Sequence, residues 1–205
     1  MNHYENRNSC NLVIIDEVFD NDEIDLILHN CKDLEKERAR TIGKNSDQCQ
    51  DIRKSDIAWL SSFNGDEHFH ETVRRVNENV FGFQLHDKKP DVQFTEYRGQ
   101  DRQMYDWHPD GPLGLQDYRG FASMPRKSNW RKLSAILMLT DPESYDGGEL
   151  SVLNPSAHID ECIQSFKLDK GSVAIFPSFL AHKVHPVKRG IRRSLVMWYE
   201  GYRWQ

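Results

Sequence analysis

Residues Phe179–Leu195 read FLAHKVHPVKRGIRRSL. Two β-like segments, HKVHPV and RRSLVMWYE, flank the turn signal VKRG, so the stretch reads as strand, turn, strand. In an extended chain, residues two apart share a face and residues three apart do not. His182 and His185 therefore face opposite sides of a regular strand, and only one of them can serve a given site. Arg192 and Ser194 share a face, and Arg193 points the other way. A planar guanidinium grips a carboxylate through two parallel hydrogen bonds, and a hydroxyl two residues along can add a third. Arg192 with Ser194 thus reads as an anion anchor. The alternative, an ordinary surface arginine, fits poorly with the half-buried look of SLVMW. Which histidine faces Arg192 depends on hairpin register, which VKRG does not reveal.

Working back from this stretch, the candidates remain short and β-like as far as Asp91: VQFTEY, LSAILML, ELSVL, IQSFKLD and GSVAIF, separated by YRGQD, DPESYDGG and LDKG. Gly147 and Gly148 read as a tight turn into ELSV. The first third is mixed. LVIID at 12–16 is a strand candidate. Asp20 is a helix N-cap with Glu23 three residues on, followed by Ile24, Ile27, Leu28, Cys31 and Leu34 at helical spacing. A second helix starts near Glu67, with Phe69, Val73, Val76 and Val80 as its buried face. On it, His68 and His70 read as solvated. His158, in NPSAHID, reads as exposed. The expected class is α+β, mainly β, with a sandwich or jelly roll in the C-terminal part. We expect one domain over 1–205, with mixed helix and strand support over 1–90 and the core that carries the site over 91–205.

The chain has 205 residues, enough to bury a core without disulfides. Its net charge of −5 gives no support to a nucleic-acid footprint. Cys10, Cys31, Cys49 and Cys162 are scattered without a CxxC pair, which argues against a zinc ribbon and for free thiols in a reducing compartment. No apolar signal region or membrane-spanning run is visible, so a cytoplasmic location is expected, with no membrane partner.

Upstream stands YDWHPDG, with His108 and Asp110 flanking Pro109. One extended segment can present an imidazole and a carboxylate to a single ion. A histidine from a distant strand would complete two histidines and one carboxylate on one octahedral face. That geometry leaves three positions open and suits non-haem Fe(II) oxygenases. Alone, HxD is a common accident, and a surface turn with a solvated Asp is then the favoured reading. The Gly111–Trp130 stretch leaves directly from Asp110 and shows no period. It is either a lid that selects substrate, using Tyr118, Phe121, Trp130, Arg119 and Arg126, or a mobile insertion.

Taken together, these pieces resemble the 2-oxoglutarate- and Fe(II)-dependent dioxygenases, and within them the prolyl 4-hydroxylase-like branch that includes the PKHD-type hydroxylases. The resemblance rests on HxD, the run FPS-x-x-x-H-x-V-x-P-V, G-x-R-x-S-L, DPESYDGGEL, IRKSDIAWL and the opening LVIIDEVFDNDEIDLIL. It implies a double-stranded β-helix (jelly roll) with N-terminal helices packed on one side. It implies Fe(II) held by His108, Asp110 and His182, so it selects His182 over His185. It assigns Arg192 to the C5 carboxylate of 2-oxoglutarate, assisted by Ser194, and places Tyr97 and Tyr105 along the co-substrate and substrate pocket. The family spacing Tyr-x-x-Gly-x-x-Tyr is departed from here, because RGQDRQM separates Tyr97 from Tyr105.

The implied reaction consumes O2 and 2-oxoglutarate, yields succinate and CO2, and hydroxylates an unactivated C–H bond, with ascorbate as reductant. The substrate implied by the branch is peptidyl proline in a peptide or protein; a free amino acid or small metabolite stands as the alternative. Two rivals are a non-catalytic jelly-roll binding module and a cupin-type enzyme that uses no 2-oxoglutarate.

Overall fold

The computed structural model describes residues 12–39, 52–111, 130–154 and 162–202. The strands are β1 (Val13–Ile15), β2 (Glu37–Arg38), β3 (Arg53–Lys54), β4 (Asp56–Leu60), β5 (Val92–Arg98), β6 (Met104–His108), β7 (Trp130–Met138), β8 (Asp146–Gly147), β9 (Leu150–Leu153), β10 (Ile163–Phe166), β11 (Val173–Pro177), β12 (His182–Val184), β13 (Val187–Arg189) and β14 (Ile191–Gly201). Among the described residues, the α-helices α1 (Asn21–Cys31) and α2 (Asp66–Val76) precede β5.

Alternation along the strands builds the layers. Leu133, Ala135 and Leu137 of β7, Leu195 and Met197 of β14, and Val92 and Phe94 of β5 pack with Ile24 and Ile27 of α1 and Phe69 and Val73 of α2. The intervening Ile136 and Met138, with Ala174 and Phe176 of β11, face Leu150 and Val152 of β9. The seven-stranded sheet β1-β11-β7-β14-β5-β4-β2 is therefore sandwiched between the helices and a five-stranded sheet, β10-β9-β12-β6-β3. A two-stranded ribbon, β13-β8, closes one end. This is the expected jelly roll with helices on one side. β1, β2 and β4 of the N-terminal third join the large sheet, and β3 joins the small one.

The helix reading holds at α1, where the Asp20 side chain accepts from the Glu23 N–H and Glu23 returns the bond to the Asp20 N–H. Two expectations on the second helix fail. Val80 is 49% exposed, because a π-helical turn over Asn77–Phe81 rotates it away from the face of Phe69, Val73 and Val76. The Asn77 side chain secures that turn with bonds to both Phe83 N–H and Phe83 C=O. His70 is 4% exposed rather than solvated. It pairs with the Tyr199 hydroxyl of β14, which makes burial of its ring tolerable. His68 is exposed as expected. HKVHPV is also not one strand: β12 ends at Val184, and β13 begins at Val187 in the ribbon. Pro186, which has no N–H to donate, lies in the break.

His70 gives a stability prediction. Burial pushes its pKa below the ordinary histidine value. The unfolded chain then binds more protons, so this contribution is present above the unfolded pKa, near 6.5, and is lost as pH falls through that value toward the folded one. His70→Gln should show a smaller loss of Tm between pH 7.5 and pH 5.5 than the wild type. Equal losses in the two proteins would show that His70 does not set the acid limb.

Candidate metal centre

β6 ends on His108, and β12 begins on His182, and the two are cross-strand partners in the small sheet. Asp110 follows two residues after His108. The N–H groups of Asp110 and Gly111 both donate to the Ser178 carbonyl, at 2.9 and 2.8 Å. This fastens the HxD segment to the FPS turn that leads into β12. A Cβ at Gly111 would stand 2.8 Å from the Arg131 carbonyl, so only glycine allows that approach.

The ligand atoms of His108, Asp110 and His182 all lie within 4.8 Å of one another. His108 Nε2 is 3.5 Å from Asp110 Oδ1, and His182 Nε2 is 3.4 Å from Asp110 Oδ2. The other ring nitrogens are committed: His108 Nδ1 donates to the Asp106 carbonyl at 2.7 Å, and His182 Nδ1 to the Leu180 carbonyl at 2.9 Å. A carbonyl only accepts, so each Nδ1 carries the proton, and each Nε2 keeps a lone pair for the centre. Ser134 Oγ donates to Asp110 Oδ2 at 2.7 Å and contacts Ser178 Oγ at 3.0 Å, which orients the carboxylate. Burial pushes the Asp110 pKa up, but the two imidazoles outweigh it and hold the carboxyl well below its usual range. Burial also opposes charge on His182, yet Asp110 draws its pKa upward; at His108 burial wins and lowers it. The Tyr105 ring stacks on His108 with centroids 3.3 Å apart.

His185 lies elsewhere. Its N–H donates to the Glu149 carbonyl, and its Nε2 contacts Ser151 Oγ at 2.7 Å. The opposition of His182 and His185 thus holds, although the strand breaks between them.

On the large sheet, Arg192 pairs in register with Tyr97, and Ser194 with Thr95. Arg192 is 2% exposed, and its Nη1 donates to Ser194 Oγ at 3.4 Å. Its guanidinium sits 5.5 Å from the Tyr97 ring centroid. Among the described residues it makes no ion pair with a carboxylate, and its Nε has no hydrogen-bond partner. A buried cation left so is costly unless an anion is supplied. Arg193 points to the helix side, where its Nε donates to buried Glu96 at 2.8 Å.

Tyr97, Tyr105, Tyr145, Val184 and Val187 form one cluster beside Arg192. Burial raises the Tyr97 pKa, with the Arg53 and Arg192 charges opposing it. A cleft of about 520 Å³ reaches Asp110 from outside, lined by Arg53, Tyr105, Arg131, Trp59 and Trp198 among others. The Arg131 guanidinium sits over the Trp198 ring, 4.0 Å from its centroid, and Trp59 is half exposed beside it.

Sequence reasoning missed Tyr145, Ser134, Arg53 and Arg131. Only Tyr145 had a local signal, as an aromatic inside SYDGG; the others are brought in by pairing between distant strands. Of the expected lid, residues 112–129 lie outside the described residues, as does His158. Trp130 is not a loop residue: it opens β7 and is buried. Cys31 is a buried thiol in no disulfide among the described residues; Cys10 and Cys49 lie outside the described residues. No helix among the described residues is long and apolar enough to cross a membrane.

The sequence profile of the 2OG-Fe(II) oxygenase superfamily matches residues 92–200. PKHD-type hydroxylase YbiX of Escherichia coli is 33% identical over 130 residues, 62% of this chain and 52% of that protein. The chain spans about half the length, or less, of the curated relatives it matches. In fold it is similar to a Pseudomonas putida prolyl-4-hydroxylase, with TM-score 0.63, 20% identity, and coverage of 95% of this chain and 94% of that one. It is also similar to a Trichoplax adhaerens prolyl hydroxylase in complex with a hypoxia inducible factor oxygen degradation domain peptide, with TM-score 0.67, 16% identity, and coverage of 96% and 86%. With more than half of its residues matched, and with the folded core that these hydroxylases share, the chain belongs to the 2OG-Fe(II) oxygenase superfamily.

Proposed function

We propose that this protein hydroxylates an unactivated C–H bond of peptidyl proline, with succinate and CO2 as co-products. Membership of the superfamily brings Fe(II) and 2-oxoglutarate as metal and co-substrate and sets aside the cupin-type rival. His108, Asp110 and His182 are the residues that would hold the iron. The observation that carries this reading is the convergence of His108, Asp110 and His182 ligand atoms within 4.8 Å of one another, in a sandwich that also buries Arg192 without a carboxylate partner among the described residues. Iron and 2-oxoglutarate, when bound, would activate O2 as the oxidant; the chain supplies position and shielding.

Within this reading each side chain has a defined task. Leu180 and Asp106 carbonyls fix the two imidazoles, and Ser134 fixes the carboxylate. Arg192 and Ser194 anchor the distal carboxylate of 2-oxoglutarate, while Tyr97 and Tyr105 wall its pocket. Peptide is favoured over metabolite because the cleft at Asp110 is open and carries the half-exposed Trp59 ring, suited to a prolyl ring. The Trichoplax relative of like fold was seen with a peptide. Ascorbate would keep the iron ferrous.

The test is an aerobic assay with Fe(II), 2-oxoglutarate and ascorbate over a library of proline-containing peptides. The expected result is succinate formation and a mass gain of one oxygen on proline. Oxygen gained by a free amino acid or metabolite, and by no peptide, would move the substrate while keeping the chemistry. No iron-dependent succinate under any condition would leave the binding-module reading.

A further inference from the structure

Two arginines line the cleft that reaches Asp110, and neither has an acidic partner. Arg53, on β3, is paired in register with Tyr105 of β6, and its guanidinium sits 4.5 Å from the Tyr105 ring centroid. Tyr105 in turn stacks on His108, so a cation, a ring and an imidazole of the candidate metal centre stand in series. Arg131, on β7, sits over the Trp198 ring and donates through Nη1 to the Asp110 carbonyl at 3.4 Å. Arg53 Nε donates to Ser55 Oγ at 3.1 Å. Both acceptors are neutral. Among the described residues, neither guanidinium forms an ion pair with a carboxylate.

Stacking occupies the face of a guanidinium and leaves its in-plane N–H groups to meet an anion. Of the other charged groups on the cleft, Arg38 lies 3.5 Å from Asp56, and Asp110 belongs to the metal centre. Among the described lining residues, Glu37 is the one remaining carboxylate. Arg53 and Arg131 outnumber it, in a chain whose net charge is −5. A basic cleft on an acidic protein draws anionic substrates to itself and repels cationic ones. A peptide carbonyl would occupy one N–H on any substrate and leave both charges unbalanced. A carboxylate takes two donors of one guanidinium and neutralises its charge.

We propose that the substrate carries an acidic side chain, Asp or Glu, close in sequence to the oxidised proline, and that Arg53 and Arg131 are the specificity-determining residues that receive it. This deepens the peptidyl-proline reading given above and rests on it. The metal centre selects the bond that is oxidised; the two arginines select which prolines reach it.

The experiment compares three synthetic peptide libraries, each with a central proline and with flanking positions enriched in Glu, in Gln or in Lys. Each is incubated aerobically with the Fe(II)-loaded protein and 2-oxoglutarate, and the initial rate of oxygen gain on proline is read by mass. A ratio between libraries on one preparation cancels any loss of folded or iron-loaded enzyme. Wild type should favour Glu over Gln by about tenfold or more, the size of one hydrogen bond to a charged group, and should use Lys least. That ratio should fall as salt is raised. Arg53→Gln and Arg131→Gln should each shrink it, and Arg53→Glu should favour Lys over Glu. A wild type that does not distinguish Glu from Gln, or a ratio that Arg53→Gln and Arg53→Glu leave unchanged, would overturn the proposal and keep the peptidyl-proline reading. Oxygen gained by a free amino acid or metabolite, with none on proline in any library, would overturn both.

Discussion

His182→Ala is expected to abolish iron binding and 2-oxoglutarate turnover, whereas His185→Ala leaves both within about twofold of wild type. Both residues are histidines on one short segment, so composition and charge change equally in the two variants. The difference is placement. His182 Nε2 faces the Asp110 carboxylate at 3.4 Å inside the sandwich, with its other nitrogen secured to Leu180. His185 Nε2 is spent on Ser151 Oγ. Loss of a residue that merely orients a ligand typically weakens metal binding about 10–100-fold, so loss of one of three ligands should exceed that. Metal content after gel filtration, with succinate formation as the second readout, checks the pair. The reverse outcome, iron kept in His182→Ala and lost in His185→Ala, would refute the ligand set.

Arg192→Ala and Arg193→Ala should separate co-substrate affinity from stability. Removing one partner of a buried charge pair costs roughly 2–5 kcal/mol, which corresponds to some tens to thousands of fold in the 2-oxoglutarate Kd for Arg192→Ala. Arg193→Ala should leave that Kd near wild type. Its cost falls on the fold, because Glu96, 2% exposed, loses its 2.8 Å partner. Arg98 and Lys36 remain beside Glu96, so the loss should be about 1.5–3 kcal/mol, the worth of a hydrogen bond to a charged group. Titration of the two Fe(II)-loaded variants with 2-oxoglutarate, plus urea unfolding, measures both effects. Equal rises in Kd would contradict the alternation that places Arg192 and Arg193 on opposite faces of β14.

Local rules were enough where a contact is made within a few residues or within one strand's period. The Asp20–Glu23 capping box needs only three residues, and the opposed faces of Arg192 and Arg193 need only the two-residue period of a strand. They fail where a third element intervenes. The π-helical turn at Asn77–Phe81 turned Val80 out because the Asn77 side chain found partners on Phe83, which a uniform 3.6-residue repeat cannot foresee. His70 was misjudged because its compensating partner, Tyr199, comes from the last strand.

By itself the sequence determined the strand-rich core, the free faces on which Arg192 and Ser194 lie, and, through its resemblance to a family, the trio His108, Asp110 and His182. Only the tertiary structure decided that these three meet. Their ligand atoms converge because β6 and β12 are paired in one sheet and because Ser178, in the turn after β11, and Ser134, on β7, hold Asp110 in place. It alone also set the Tyr145 and Arg192 side chains against one glycine, Gly148. The physical reason is common to both: strand period is a property of the local backbone, whereas register and the approach of distant strands depend on how the whole core packs.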